Sequence, residues 1–490
     1  MIPNRHGTSA SPIRFVGRSR ELGILGATFE DVKESGQGAM VLVKGRRRAG
    51  KSRLIEEFTE RQGAPVVFFL ATKQRPGYEL ARFAEALAQS NHPEAAGSAG
   101  LRFEGWEPAL AYASAGATRQ APVIVVIDEF PYLVQTDSDG AIESAVNAAW
   151  ERTLARRPVM LILVGSDLSM MSMLTEHGRP LYGRPTRTLT VEPLDVAEVA
   201  NALNVTGAEA IDAYHIIGGF PRLLPLWRPG VTLRTFLARA LSDEDAPYIA
   251  TGQRILDAEF PDDVQARTVL SVIGAGERTY SNIARVANVA STNLRRSLDL
   301  LENHKRVVTN DRPLSARPSK DTRYYIGDPY LRFYLRFVDP NRADLQRGRL
   351  RLVVNRIVRD WQTYIGTAIE PFVRTSIERL LPDPALPNAE KVGGYWTRTN
   401  DPQIDLVGTD DRERYVAFVG SIKWRANQSF GKADVELLRV AALHHPRGGV
   451  PGASATTALI GVSRSGFGST DDLRRGFGPD ELLAAWEPAE

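Results

Sequence analysis

The sequence holds no cysteine. Disulfides, cysteine-ligated zinc and thiol nucleophiles are thereby excluded, and a reducing, cytoplasmic setting is expected. Histidine is scarce, at seven residues. None shows a His-x-x-x-His or triad spacing, so His444 and His445 read as surface. Long apolar runs are missing too. Val123 to Ile127 and Val159 to Val164 fall far short of the ~20 residues a membrane helix needs. The opening stretch, MIPNRHGTSASPIR, has no apolar core of the signal-peptide kind. Charge of one sign is also lacking: the formal net charge is +3, so any surface for nucleic acid must be local.

What the chain does have is bulk. It runs to 490 residues, 43% hydrophobic and 24% charged, the balance of a soluble globular protein with several cores. Its most informative stretch is Gly45 to Ser52, GRRRAGKS. This follows the apolar run Ala39 to Val43 and precedes a helix-like segment from Arg53 to Phe58. Gly45 and Gly50 allow the backbone to curl so that its N–H groups face a phosphate. The helix start adds its partial positive charge. Lys51 can reach β- and γ-phosphates, and the Ser52 hydroxyl can sit on Mg²⁺. The expected phosphate-binding set is Gly45, Arg46, Arg47, Arg48, Ala49, Gly50, Lys51 and Ser52, with Arg53 behind them.

Strands are predicted at 39–44, 65–71, 122–128, 158–165 and 186–191, and helices around 51–61, 79–90, 107–115 and 141–156. Short apolar strands alternating with helices imply an α/β fold, a parallel sheet covered on both faces. The strand at 65–71 lies in sequence between the phosphate loop and an acidic strand, Val123 to Asp128. That order suits the ATPase branch of the loop-containing fold. Asp128 is suited to the Mg²⁺ shell and Glu129 to orienting an attacking water. Ser166 ends the next strand, either as a sensor of the γ-phosphate or as an ordinary strand-end serine. Arg184 lies in the loop Pro180 to Arg184, either to stabilise transition-state charge or as a solvated surface group. Gly218-Gly219-Phe220-Pro221 breaks a helical region at a sharp turn.

Taken in order, FVGR at 15–18, GRRRAGKS, VIDEF at 126–130, LVGSD at 163–167, YGR at 182–184 and GGFP at 218–221 resemble the archaeal-type ATPases. These belong to the AAA-like signal-transduction ATPases with numerous domains (STAND). The resemblance implies that Ser166 acts as sensor, that Arg184 stabilises charge, and that Pro221 touches nucleotide from a helical lid. Ser19 departs from the acidic residue usual after the FVGR arginine. The domains expected are a disordered start at 1–12, a P-loop ATPase core at 13–195, a lid at 196–255, a winged helix at 256–340 and a C-terminal domain at 341–490.

Within the winged helix, helices are expected over Ala266 to Ile273 and Tyr280 to Ala287, then a third capped by Ser291. A wing hairpin follows between Val307 and Tyr325. From Arg278 to Arg323, ten Lys and Arg face four Asp and Glu. Asn293, Arg295 and Arg296 are placed to approach DNA, or simply to be solvated. The segment Tyr324 to Tyr334 reads as aromatic core rather than a base-stacking platform. Further on, Glu370 on a helix from Tyr364 to Leu380, Asp405 on a strand and Lys423 on the next strand resemble the PD-(D/E)xK nuclease core. The acidic residue expected two before the lysine is Ser421, which supplies no carboxylate for a hard cation. The nuclease-like domain is therefore expected to be degenerate, retaining the capacity to bind DNA or a partner. After 445 the sequence turns Gly- and Ser-rich and ends in a short helix from Pro479 to Trp486.

The expected activity is an ATP-hydrolysing switch using ATP and Mg²⁺, coupled to DNA, a protein partner or a second copy of the chain. The rivals are a DNA-binding regulator with ATP as a slow clamp, and an ATP-gated nuclease.

Overall fold

A computed structural model describes residues 15–137, 140–243, 245–260, 263–317, 319–446 and 448–487. The start expected to be disordered, residues 1–12, lies outside them. The chain forms two compact units, one ending at Leu194 and the other beginning at Asp195.

In the first unit, β1 (Ala39–Lys44), β2 (Val66–Leu70), β3 (Val123–Asp128), β4 (Val159–Gly165) and β5 (Arg187–Thr190) form one sheet, ordered β2-β3-β4-β1-β5. Every pairing is parallel. Successive strand side chains point to opposite faces, so the apolar runs divide between two cores. Met40, Leu42, Val123, Val125, Leu161 and Leu163 pack beneath the helices Pro76–Ala88, Trp106–Ala113 and Ala141–Arg152. Val41, Val43, Ile124, Val126, Ile162 and Val164 pack against the helices Ser19–Ser35 and Lys51–Gln62. In space, β4 separates the phosphate-loop strand from the acidic one, while the strand that intervenes in sequence, β2, takes the sheet edge.

The second unit opens with the helices Val196–Leu203, Gly207–Ile217, Leu233–Ala240 and Pro247–Glu259, where the lid is expected. The helix Gly207–Ile217 is tied to the far end of the chain: Asp212 accepts from Trp424 Nε1 at 2.8 Å and from Arg464 Nη2 at 2.8 Å. Next come three helices, Val264–Gly274, Tyr280–Ala287 and Ser291–Asp299, and an antiparallel wing of β6 (Val308–Asp311) and β7 (Arg323–Ile326). Ser291 is not the cap of the third helix. Ala290 holds that extended position, its carbonyl accepting from the Leu294 N–H at 2.9 Å, and Ser291 is the first helical residue. Tyr330, Phe333 and Tyr334 are fully buried, as the aromatic-core reading requires.

The helix expected from Tyr364 to Leu380 is two helices, Leu350–Ala368 and Glu370–Arg379. Pro371 has no N–H to give to Thr367, and Arg332 fills the gap by donating to the carbonyls of Ala368 at 2.9 Å and Thr367 at 3.2 Å. Beyond them lies a mixed sheet of β8 (Lys391–Trp396), β9 (Gln403–Thr409), β10 (Val416–Lys423), β11 (Ala458–Ser463) and β12 (Arg475–Phe477), ordered β12-β11-β10-β9-β8. The Gly- and Ser-rich stretch thus contains two paired strands that its periodicity did not announce. Among the described residues, no helix is long and apolar enough to cross a membrane.

Candidate functional site

At the C-terminal end of β1 the chain enters the phosphate loop through Gly45, where a Cβ would lie 2.2 Å from the Val191 carbonyl oxygen. Only glycine fits there. Gly50, at φ 92°, caps the helix that begins at Lys51. Lys51 is buried and folds back, its Nζ donating to the carbonyls of Gly45 at 2.8 Å and Arg46 at 3.0 Å. Arg47 donates to the Tyr132 hydroxyl at 2.5 Å, on the helix that follows the acidic pair.

The acidic residues stand at the end of β3, and a single hydrogen-bonded chain runs through them. Ser52 Oγ donates to Asp128 Oδ2 at 2.6 Å, and the Glu129 N–H donates to Asp128 Oδ1 at 2.9 Å. Ser166, at the tip of β4, donates its hydroxyl to both Glu129 carboxylate oxygens, at 2.8 and 2.7 Å. Glu129 itself is held in the left-handed region at φ 54°, an uncommon conformation that turns the chain sharply out of the strand. Burial pushes the Asp128 carboxyl above its ordinary value and the Glu129 charge adds to this, while the Ser52 hydrogen bond opposes it. A hydroxyl and a carboxylate oxygen side by side form a donor set suited to a hard cation such as Mg²⁺.

Two expected residues of the first unit stand apart from this cluster. Arg184 donates to Asn147 Oδ1 at 3.0 Å and pairs with Glu151. Arg53 lies on the outer face of its helix, paired with Glu56, Glu57 and Glu60. Pro221 opens the 3-10 segment Pro221–Leu226 of the second unit. One contributor was not foreseen. Arg18, left-handed at φ 66° and 4% exposed, donates to the Ala49 carbonyl at 2.8 Å and pins the loop from behind. The FVGR motif contained the signal, since an arginine preceding a helix can reach the neighbouring loop.

The C-terminal constellation is built differently. Glu370 is buried and receives Arg374 Nη2 at 3.1 Å. Arg374 also donates to the Asp405 carbonyl at 2.9 Å and to Asp311 Oδ2, on the wing, at 2.6 Å. Asp405 Oδ2 accepts from the Ser421 hydroxyl at 3.0 Å and from the Ile422 N–H at 2.9 Å. Burial raises the Glu370 carboxyl; Arg374 pulls it down and Asp405 pushes it further up. Lys423 ends β10, half-buried. A divalent cation does not fit here: a guanidinium already neutralises Glu370, and Ser421 adds no charge. Among the described residues, no group of three or more His, Asp or Glu side chains could hold a metal. Arg374, four residues after Glu370 and therefore on the same helix face, is the organiser that sequence reading passed over. On the helix Ser291–Asp299, Asn293, Arg295 and Arg296 are exposed while Leu294 and Leu298 are buried.

Residues 15–226 match the family described as "ATPase domain predominantly from Archaea". Residues 334–435 match one described as "Archaea bacterial proteins of unknown function". An uncharacterized protein of Methanocaldococcus jannaschii is 24% identical over 419 residues, spanning 84% of this chain and 88% of that protein. Among solved structures, the Walker-type ATPase of Pyrococcus abyssi is similar at TM-score 0.47 and 17% identity, over 66% of this chain and 96% of that one. The ORC2 protein of Aeropyrum pernix is similar at TM-score 0.44 and 14% identity, over 73% and 98%. Residues 15–226 are thus similar to an archaeal ATPase domain, and residues 334–435 to a second family whose function is unknown.

Proposed function

We propose that the protein is an ATP-hydrolysing molecular switch of the STAND kind, whose second unit reads the nucleotide state of the first. The observation that carries this is the chain of hydrogen bonds from Ser52 through Asp128 and Glu129 to Ser166. It joins the phosphate loop to a carboxylate suited to activating water.

Main-chain N–H groups from Gly45 to Ser52 bind the phosphates, and Lys51 exchanges its carbonyl partners for the β- and γ-oxygens. Ser52 and Asp128 hold Mg²⁺, which when bound supplies charge neutralisation at the phosphoryl oxygens. Glu129 orients the attacking water and takes up its proton. Ser166 holds the Glu129 carboxylate by both oxygens until the γ-phosphate competes for its hydroxyl. Arg184 completes the site by leaving Glu151 for the developing charge.

The mixed C-terminal sheet, with Glu370, Asp405 and Lys423 in nuclease-like order, supports a retained PD-(D/E)xK fold without its metal chemistry. The exposed Asn293, Arg295 and Arg296 favour nucleic acid as the partner of the winged helix. The deciding experiment pairs calorimetric titration of ATP with Mg²⁺ and measured phosphate release, on wild type and Glu129→Gln. Both proteins are expected to bind, and only wild type to turn over. No heat of binding, or equal turnover by the two, overturns the assignment.

A further inference from the structure

Inside the second unit, where β6 and β7 meet the helix Glu370–Arg379 and β8, lies a small, partly open cleft. Its charged lining is four guanidinium groups, from Arg278, Arg323, Arg332 and Arg374, and two carboxylates, from Asp311 and Glu370. The excess is two positive charges. Arg374 takes both carboxylates for itself. That leaves three guanidiniums with no acid partner among the described residues.

Their remaining bonds are all to neutral groups. Arg323, 7% exposed, spends Nη2 on Asn400 at 2.6 Å and Gln403 at 3.1 Å, and lies over the Trp396 ring at 4.2 Å. Arg332 donates to the carbonyls of Ala368 and Thr367 and lies over the Tyr325 ring at 5.6 Å. The half-buried Arg278 makes no side-chain hydrogen bond or ion pair among the described residues. A guanidinium has five N–H donors, so each of the three keeps donors to offer. Assembling like charges away from water is unfavourable unless an anion joins them. The crowding registers on the groups themselves: burial, and then the Arg278 charge, hold Arg323 down to about 10, with Arg374 adding to this and Glu370 and Asp311 opposing it. Arg332 is lowered as well, chiefly by burial.

We propose that this cleft is a binding site for a phosphate monoester, gripped by Arg278, Arg323 and Arg332 and independent of the phosphate loop. Charge and shape select the ligand. A monoester carries about −1.5 to −2 near neutral pH, which offsets the surplus, whereas a carboxylate or a backbone diester brings only one negative charge. Guanidinium forks match phosphate oxygens in pairs. Trp396 cannot stack on a base, since it is buried with Arg323 over its ring. The recognised feature is therefore the phosphate, whether it ends a nucleic-acid strand or belongs to a small free molecule.

The test measures thermal unfolding of the full chain in inorganic phosphate against chloride at matched ionic strength, for wild type and Arg278→Gln. Because Arg278 holds no side-chain partner among the described residues and repels Arg323, R278Q is expected to melt at or slightly above wild type in chloride. In phosphate it is expected to lose most of the wild-type gain, with phosphate affinity falling about tenfold. Phosphate held by Gly45 to Ser52 would be untouched by the change. Arg323→Gln serves as the second variant and is expected to lose the gain likewise. Equal stabilisation of wild type and both variants, or no phosphate-specific gain in wild type, overturns the proposal. A 5′-phosphorylated oligonucleotide bound more tightly than its 5′-hydroxyl form, with R278Q abolishing the difference, assigns the ligand to strand ends. Equal binding of the two oligonucleotides beside an R278Q-sensitive phosphate response assigns it to free monoesters.

Discussion

Asp128 and Glu129 in the first unit, and Glu370 and Asp405 in the second, are both pairs of acids with serines beside them. In the first unit the acids are held by hydroxyls, Ser52 on Asp128 and Ser166 on Glu129. A hydroxyl is neutral and can rotate, so the negative charge stays available to a cation or a water molecule. In the second, Glu370 is bound by the guanidinium of Arg374, a permanent cation in a fixed fork. Asp405 is occupied by Ser421 and a backbone N–H. The same residue types serve chemistry in one place and architecture in the other, and the third partner decides which.

That contrast can be broken most forcefully at its two carboxylate partners. Glu129→Gln is expected to lower phosphate release about 10²–10⁴-fold while leaving the melting temperature near wild type. Arg374→Ala is expected to do the reverse, costing about 3–5 kcal/mol in denaturant unfolding, because Glu370 would be left buried without its ion-pair partner and the half-buried Asp311 would lose its own. If R374A unfolds with wild type, the architectural reading of that pair fails. A smaller effect sharpens the first site. Ser166→Ala should slow turnover about tenfold through loss of charged hydrogen bonds, with Ser166→Thr restoring it.

Smaller still is a pH-dependent gain. Asp128 is raised in the fold, so its ionisation opposes folding. Stability is intact below its ordinary 3.8 and falls as pH climbs through the folded value. Asp128→Asn should therefore melt slightly higher than wild type at neutral pH without nucleotide, and the difference should vanish in acid. On the winged helix, Arg295→Ala is expected to reduce the salt slope of DNA binding by about one ion, and an unchanged slope would remove that residue from the interface.

The first unit was readable because its chemistry is local. Gly45, Lys51 and Ser52 are near neighbours in sequence, and the apolar runs of β1, β3 and β4 are each bounded by glycine, proline or a charged residue. The grip of Arg18 on Ala49 was not readable, since it spans 31 positions and depends on a left-handed residue. The second unit hid more. Gly461 weakens the strand pattern of β11, yet a Cβ there would crowd Leu473 at 3.0 Å and Phe467 at 3.1 Å. What reads as a glycine-rich tail is a sheet in which ring and hydrogen share one position. Arg374 escaped notice for a related reason: its partners lie on the wing, its own helix and β9, and no short motif joins them.

The bond from Asp212 to Trp424 and Arg464 has a mechanical meaning. Its two donors sit just past the ends of β10 and β11, adjoining strands in the middle of the C-terminal sheet. A torque on the helix Gly207–Ile217 would be delivered straight to that sheet, as a spanner turns a bolt.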